Sequence, residues 1–199
     1  MSRPASPRAA GRHRKVAFLD RDGTLNVDVD FLRTAAELRL LPGVRQAVAD
    51  LAAAGYTIVV VTNQSGIARG YLDESELARI HATLHAALDG LPSAYLHCPH
   101  HPDATGPYGG ACLCRKPADG LLQQAAELLA LPLEDAVLIG DSARDLLMAT
   151  DLPMCRIHVQ SGKPAAGELA KLRAVGVTPA HSAKDLGDAV RWLLQSTGS

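Results

Sequence analysis

The sequence predicts an α/β fold: a doubly wound parallel sheet with helices on both faces. Three observations predict it. Short apolar runs rich in β-branched residues alternate with segments whose apolar residues recur at helical spacing. The runs are apolar at successive positions, as in strands buried on both faces. Polar residues close three of them, namely Asp20, the Thr62–Asn63 pair and Asp141. In such sheets ligands bind beyond the carboxyl ends of the strands.

The elements follow in order. Residues 1–14 are rich in Arg, Ala, Pro and Ser and lack the apolar middle of a secretory signal, so a disordered basic tail is expected there. A single domain is expected over 15–196. "KVAFLD" (15–20) reads as a buried strand ending on a carboxylate. In "PGVRQAVADLAAAG", Val44, Val48 and Leu51 share a helical face between Pro42 and Gly55. "YTIVVVTN" (56–63) is a second strand. Asp73 and Glu76 carry the capping-box pattern for a helix through Leu88, with Gly90 as its stop. "AYLH" (94–97) is a third strand, 118–130 a helix, "AVLIGD" (136–141) a strand, 143–149 a short helix and "CRIHV" (155–159) a strand. Two late helices are expected at about 165–175 and 184–195.

Composition excludes several function classes. The 199 residues carry a net charge of −1, so the whole fold is no electrostatic trap for nucleic acid. No apolar run approaches the roughly 20 residues that span a membrane. With no signal pattern a cytoplasmic location is expected, where thiols stay reduced and clustered cysteines point to metal rather than disulfides. Aromatic residues make up only 4%, which offers no obvious self-association patch, so a monomer is the default.

The first chemistry-bearing motif is "FLDRDGTLN". Asp20 and Asp22, two residues apart on extended chain, project the same way. An EF-hand also begins D-x-D, but Leu25 stands where its loop glycine belongs and Phe31 where its closing Glu belongs. Crowded carboxylates repel unless a cation sits among them. With Asp141 at a neighbouring strand end, the set suits Mg²⁺, a metal that prefers oxygen ligands.

The second is "CPHHPDATGPYGGACLCRKP" (98–117). Cys98 and His100 are spaced C-x-H, and Cys112 and Cys114 C-x-C. Three thiolates and an imidazole make a closed tetrahedral set of the kind that binds structural zinc. His97 and His101 are nearby competitors for the fourth position, for which His100 is favoured. Such a metal tethers a Gly/Pro-rich loop that has little core of its own. Cys155, alone in a strand, reads as core.

Together, "DRDGT", "VVVTNQ", "RKP" and "IGDSARD" resemble, in order and setting, the haloacid-dehalogenase-like (HAD) phosphatases, over nearly all of residues 15–160. The resemblance implies a Rossmann-like HAD fold in which Asp20 is the nucleophile, forming an aspartyl-phosphate. Asp22 is then the general acid and base. Thr62 hydrogen-bonds a phosphoryl oxygen, and Lys116 neutralises transferring charge. Asp20, the backbone carbonyl of Asp22, and Asp141 hold Mg²⁺. For Asp145 two roles stay open, orienting the metal's waters or capping its helix.

Asp20 and Thr62 are 42 positions apart and Thr62 and Lys116 are 54. Neither gap, once its helices and strands are subtracted, holds a separate cap domain of roughly 50 residues. Loops 26–36, 64–72 and 98–115 are therefore expected to recognise the substrate.

The zinc-loop pattern narrows the resemblance to two branches, the D-glycero-D-manno-heptose 1,7-bisphosphate 7-phosphatases and the histidinol-phosphatase domains. "VVVTNQSGIARG" (59–70) and the long His100–Cys112 interval look like the heptose branch. That branch hydrolyses the C7 phosphate of a small sugar bisphosphate and feeds nucleotide-activated heptose to lipopolysaccharide synthesis. It implies that Asn63, Gln64 and Ser65 line the sugar site, with Asp28 to Phe31 closing it. Arg115 offers a planar fork to the second, non-reacting phosphate. For Arg69 substrate contact and a solvated loop position stay open. "VDVDF" (27–31) lacks the Gly and His of the branch's usual run, and Ser142 stands where some members have Lys. A histidinol-phosphate phosphatase or other small phosphomonoesterase is the alternative enzyme. A zinc-stabilised interaction module is the non-enzymatic alternative.

Overall fold

Side chains along β1 (Lys15–Leu19) alternate between two cores: Ala17 and Leu19 face one, Val16 and Phe18 the other. In the computed structural model, which describes residues 15–196, the same division runs through β2 (Tyr56–Asn63) and β4 (Val137–Gly140). Ile58, Val60, Val137 and Ile139 join the first core, and Val59, Val61 and Leu138 the second. This two-sided burial is why the strands read as unbroken apolar runs. Fully burying a Val, Leu, Ile or Phe side chain contributes about 1.5–3 kcal/mol, so these strands anchor the fold. The expected tail, residues 1–14, lies outside the described residues.

With β3 (Ala94–Cys98), β5 (Cys155–Val159) and β6 (His181–Ala183), the sheet runs β3-β2-β1-β4-β5-β6. All five pairings are parallel. Helices α1 (Val44–Ala53) and α6 (Leu186–Ser196) cover the first core, and α3 (Gly120–Leu129) the second. Helix α4 (Ala143–Leu147) packs on α5 (Ala165–Ala174) through Leu146 and Leu172. Cys155 is half-buried against the first core, in keeping with a packing role.

Two local results differ from the sequence expectation. The short edge strand β6 was not foreseen. "HSA" has no periodicity to detect, and its place is set by tertiary contacts, including His181 stacked 4.7 Å from Trp192. At α2 (Glu74–Ala87) only half the capping box forms. Asp73 caps the Glu76 amide at 2.7 Å, but Glu76 accepts from the Ala35 amide instead of its own N-cap. Glu76 thus ties α2 to the 3-10 turn Ala35–Glu37, the far end of the loop after β1.

Candidate active site and metal-binding loop

The chain leaves β1 toward β2 and β3, then crosses back to place β4 on the other side of β1. That reversal opens a crevice at the carboxyl ends of β1 and β4. Asp20 and Asp141 stand on its two sides, and the Asp20 amide donates to the Ile139 carbonyl at 2.9 Å. Gly23 turns the chain there with φ of 84°. A Cβ on Gly23 would lie 2.5 Å from an Asp141 carboxylate oxygen, so only glycine admits that carboxylate.

Asp20, Asp141 and Asp145 bring carboxylate oxygens within 4.8 Å of one another, and all three are buried. Lys116 Nζ lies 2.6 Å from Asp20 Oδ1 and 2.7 Å from Asp145 Oδ1. Burial opposes the Lys116 charge, but Asp145 and Asp20 outweigh it and hold the ammonium above its usual range. Burial first, then the Asp145 charge, push Asp141 up to about 7. The same two causes raise Asp20 well above the ordinary carboxylate range despite Lys116. One lysine does not neutralise three crowded carboxylates, and a divalent cation fits the deficit.

The geometry assigns Asp145 partners on both oxygens. Oδ1 holds Lys116, while Oδ2 accepts the Ser142 amide at 3.0 Å and its hydroxyl at 2.6 Å, capping α4. Asp141 Oδ2 accepts the Lys163 amide at 2.7 Å, and Asp20 Oδ1 accepts Lys116, which leaves one oxygen each on Asp141 and Asp20 for a metal.

Asp22 sits beside this cluster in a net of donors. Arg21 reaches it at 2.8 and 3.0 Å, Asn26 Nδ2 at 2.9 Å and Gln64 Nε2 at 2.9 Å. Burial alone would raise its carboxyl, but the Arg21 guanidinium and the two amides hold it below the usual range. Gln64 Nε2 also donates to Thr62 Oγ1 at 2.9 Å, leaving the buried Thr62 hydroxyl hydrogen to point elsewhere.

A polar cleft of about 300 Å³ collects every residue expected at the active site. Asp20, Asp22, Thr62, Lys116 and Asp141 line it together with Asp28, Phe31, Asn63, Gln64, Ser65 and Arg115. Arg69 lines it too, donating to His101 Nε2 at 2.8 Å with its guanidinium over the Phe31 ring. Sequence reasoning missed Arg144 and Lys163, which also line the cleft. Lys163 Nζ pairs with the Asp28 carboxylate, joining the loop after β5 to the loop after β1. Lys163 lies four residues beyond the end of β5, so the strand-end rule that found Asp20 and Asp141 does not reach it.

In the cysteine loop, Cys112 Sγ lies 3.5 Å from both Cys98 Sγ and Cys114 Sγ. His100 Nδ1 lies 3.4 Å from Cys114 Sγ and 3.8 Å from Cys98 Sγ. A tetrahedral zinc with Zn–S of about 2.3 Å and Zn–N of about 2.0–2.1 Å requires edges of about 3.6–3.8 Å. The four ligand atoms fit that size. The competitors are engaged elsewhere, His97 with Glu74 at 2.9 Å and His101 with Arg69. Leu113, between two of the cysteines, is 83% exposed, so the loop has little apolar core to hold it. Its exit is pinned to β2: Asn63 Oδ1 accepts the Lys116 amide at 3.1 Å, and Asn63 Nδ2 donates to the Lys116 carbonyl at 3.3 Å. Arg115 donates to the His100 carbonyl at 3.0 Å.

The HAD-hydrolase-like family model matches residues 113–189. The D-glycero-beta-D-manno-heptose-1,7-bisphosphate 7-phosphatase of Haemophilus influenzae is 37% identical over 162 residues, 77% of this chain and 86% of that protein. The Bordetella bronchiseptica protein of the same name is 40% identical over 152 residues, covering 74% of this chain and 82% of that one. A crystal structure of the D,D-heptose 1,7-bisphosphate phosphatase from B. bronchiseptica, complexed with magnesium and phosphate, superposes with a TM-score of 0.79 at 36% identity. That match covers 92% of this chain and 99% of the other. Among the described residues no helix is long and apolar enough to cross a membrane.

Proposed function

The chain belongs to the D-glycero-β-D-manno-heptose-1,7-bisphosphate 7-phosphatase family of HAD-like phosphatases, and from that premise we propose that it removes the C7 phosphate of a D-glycero-D-manno-heptose 1,7-bisphosphate through an aspartyl-phosphate. The observation that carries the reading is one cleft holding Asp20 against Lys116, Asp22 beside them, and Arg115 on the wall. A binding module has no use for that set. A bisphosphate needs both a reacting centre and a second cationic contact.

An Asp20 oxygen attacks phosphorus as the bond to the sugar oxygen breaks. Asp22 gives its proton to that leaving oxygen, then takes one from the water that attacks the aspartyl-phosphate. The arriving phosphate charge opposes ionisation of Asp22, which favours the acid form the first step needs. The Thr62 hydroxyl donates to a phosphoryl oxygen, and Lys116 offsets the charge spread over the transferring group. Asp20, Asp141 and the Asp22 carbonyl would hold magnesium, which would add neutralising charge there.

Arg115 donates to the non-reacting phosphate. Asn63, Gln64 and Ser65 face the sugar, with Asp28 and Phe31 above it. Cys98, His100, Cys112 and Cys114 would hold a zinc that tethers the loop delivering Arg115 and Lys116, outside the chemistry itself. Steady-state kinetics with both heptose 1,7-bisphosphate anomers and with histidinol phosphate tests the reading. Higher kcat/KM on a heptose bisphosphate supports it. Preference for histidinol phosphate overturns it.

A further inference from the structure

Arg21 stands between the two motif aspartates; it borders the cleft but is only 1% exposed, its guanidinium turned to protein partners. A guanidinium never gives up its proton, and burying one costs several kcal/mol, of order, unless it is paired. Nearly all its bonding goes to one neighbour. Nε lies 3.2 Å from Asp22 Oδ1, and Nη2 lies 3.0 Å from Oδ1 and 2.8 Å from Oδ2. This planar fork on a carboxylate fixes its rotation as well as its place. Nη1 points away, 3.4 Å from His81 Nε2 on α2. Arginine has only donors, so His81 must accept through a bare Nε2 and carry its proton on Nδ1. The His81 ring is stacked 5.1 Å from Tyr95, which sets its plane.

We propose that Arg21 is a positioning residue for the reaction: it holds the Asp22 carboxyl where that group must meet first the leaving oxygen and then the attacking water, and His81 holds Arg21. The inference rests on the acid–base reading of Asp22. Asp22 hangs on a short side chain at a turn, and its other donors, Asn26 and Gln64, each supply a single contact. The fork alone restrains both of its oxygens at once.

The test compares Arg21→Met, Arg21→Lys, His81→Phe and Asp22→Asn with the unchanged protein by rapid mixing and steady-state turnover. The substrates are the heptose bisphosphate and p-nitrophenyl phosphate, whose leaving group departs without protonation. Loss of positioned acid–base help slows turnover by about a hundredfold or more. Arg21→Met should therefore slow the first turnover of the sugar substrate to that extent. It should keep a fast one-equivalent burst of nitrophenolate and then stall, because the water step still needs Asp22. Asp22→Asn should show the same pattern more deeply, Arg21→Lys should recover part of the loss, and His81→Phe should show a milder form. If Asp22→Asn turns over normally, the reading of Asp22 fails. If Asp22→Asn bursts and stalls while Arg21→Met does not, the inference about Arg21 fails alone. Loss of the burst together with turnover in Arg21→Met would mean a structural plug and also overturn it. Should Arg21→Met not fold, the same split in Arg21→Lys and His81→Phe decides, and its absence in both refutes the proposal.

Discussion

His81 provides a test of the buried network through stability rather than activity. Burial is the main cause that drives its pKa down to about 3, with the Arg21 and His97 charges adding to it and Asp22 opposing. Unfolded, the imidazole titrates near 6.5. The folded pKa is depressed, so between about 3 and 6.5 the unfolded chain binds the extra proton and stability falls as pH falls. The slope is about 1.4 kcal/mol per pH unit. Moving from pH 7.5 to 5.0 should therefore remove about 2 kcal/mol through this residue alone, or about 4–8 °C in Tm for a domain of this size.

The perturbation is His81→Gln, whose side-chain carbonyl still accepts from Arg21 but does not titrate. Denaturant unfolding of both proteins at a series of pH values is the assay. Carboxylates and the other histidines titrate equally in both, so the difference between the two curves isolates position 81. The variant is expected to hold its stability better by about 2 kcal/mol over that interval. Parallel curves would refute the neutral-acceptor assignment.

Other predictions follow from the same geometry. Lys116→Met leaves Asp20 and Asp145 buried without their cation, so unfolding experiments should show a loss of about 3–5 kcal/mol along with loss of turnover. Metal analysis of the purified protein should find about one zinc per chain, and stripping it should depress kcat by loosening Arg115 and Lys116; a zinc-free, fully active protein refutes the clamp. Arg115→Ala should cost about ten- to a hundredfold in kcat/KM on the bisphosphate, the worth of a charged hydrogen bond, and little on a simple monophosphate. Lys163→Met frees Asp28 and should raise KM for the sugar substrate more than for p-nitrophenyl phosphate, with kcat nearly kept.

Residues fixed by local or periodic rules were legible in the sequence. The strand ends located Asp20, Thr62 and Asp141, because two-sided burial makes parallel strands conspicuous and forces polar groups to their tips. The metal loop was legible because thiols and imidazole recur at ligand spacing, and the folded loop brings His100 to the thiols while His97 and His101 are engaged elsewhere. Long-range pairings left no such trace. Lys163 meets Asp28 across 135 positions, and Arg21 meets His81 across 60. Asp145 was ambiguous for a related reason. Its capping role is local, but its grip on Lys116 appears only when α4 is laid beside the loop.

The double hydrogen bond between Asn63 and the Lys116 backbone has a further consequence. Together with the Cys98–His100–Cys112–Cys114 cluster, it closes the loop on itself before the loop reaches the cleft. The segment from 102 to 111 hangs outside that closure, touching the body through contacts such as Tyr108 to Glu74. Loop-closure entropy grows slowly with length. That segment can therefore be lengthened, shortened or exchanged while Arg115 and Lys116 keep their stations. It is an adjustable rim on a fixed reaction centre, and the natural place to graft recognition of a different sugar.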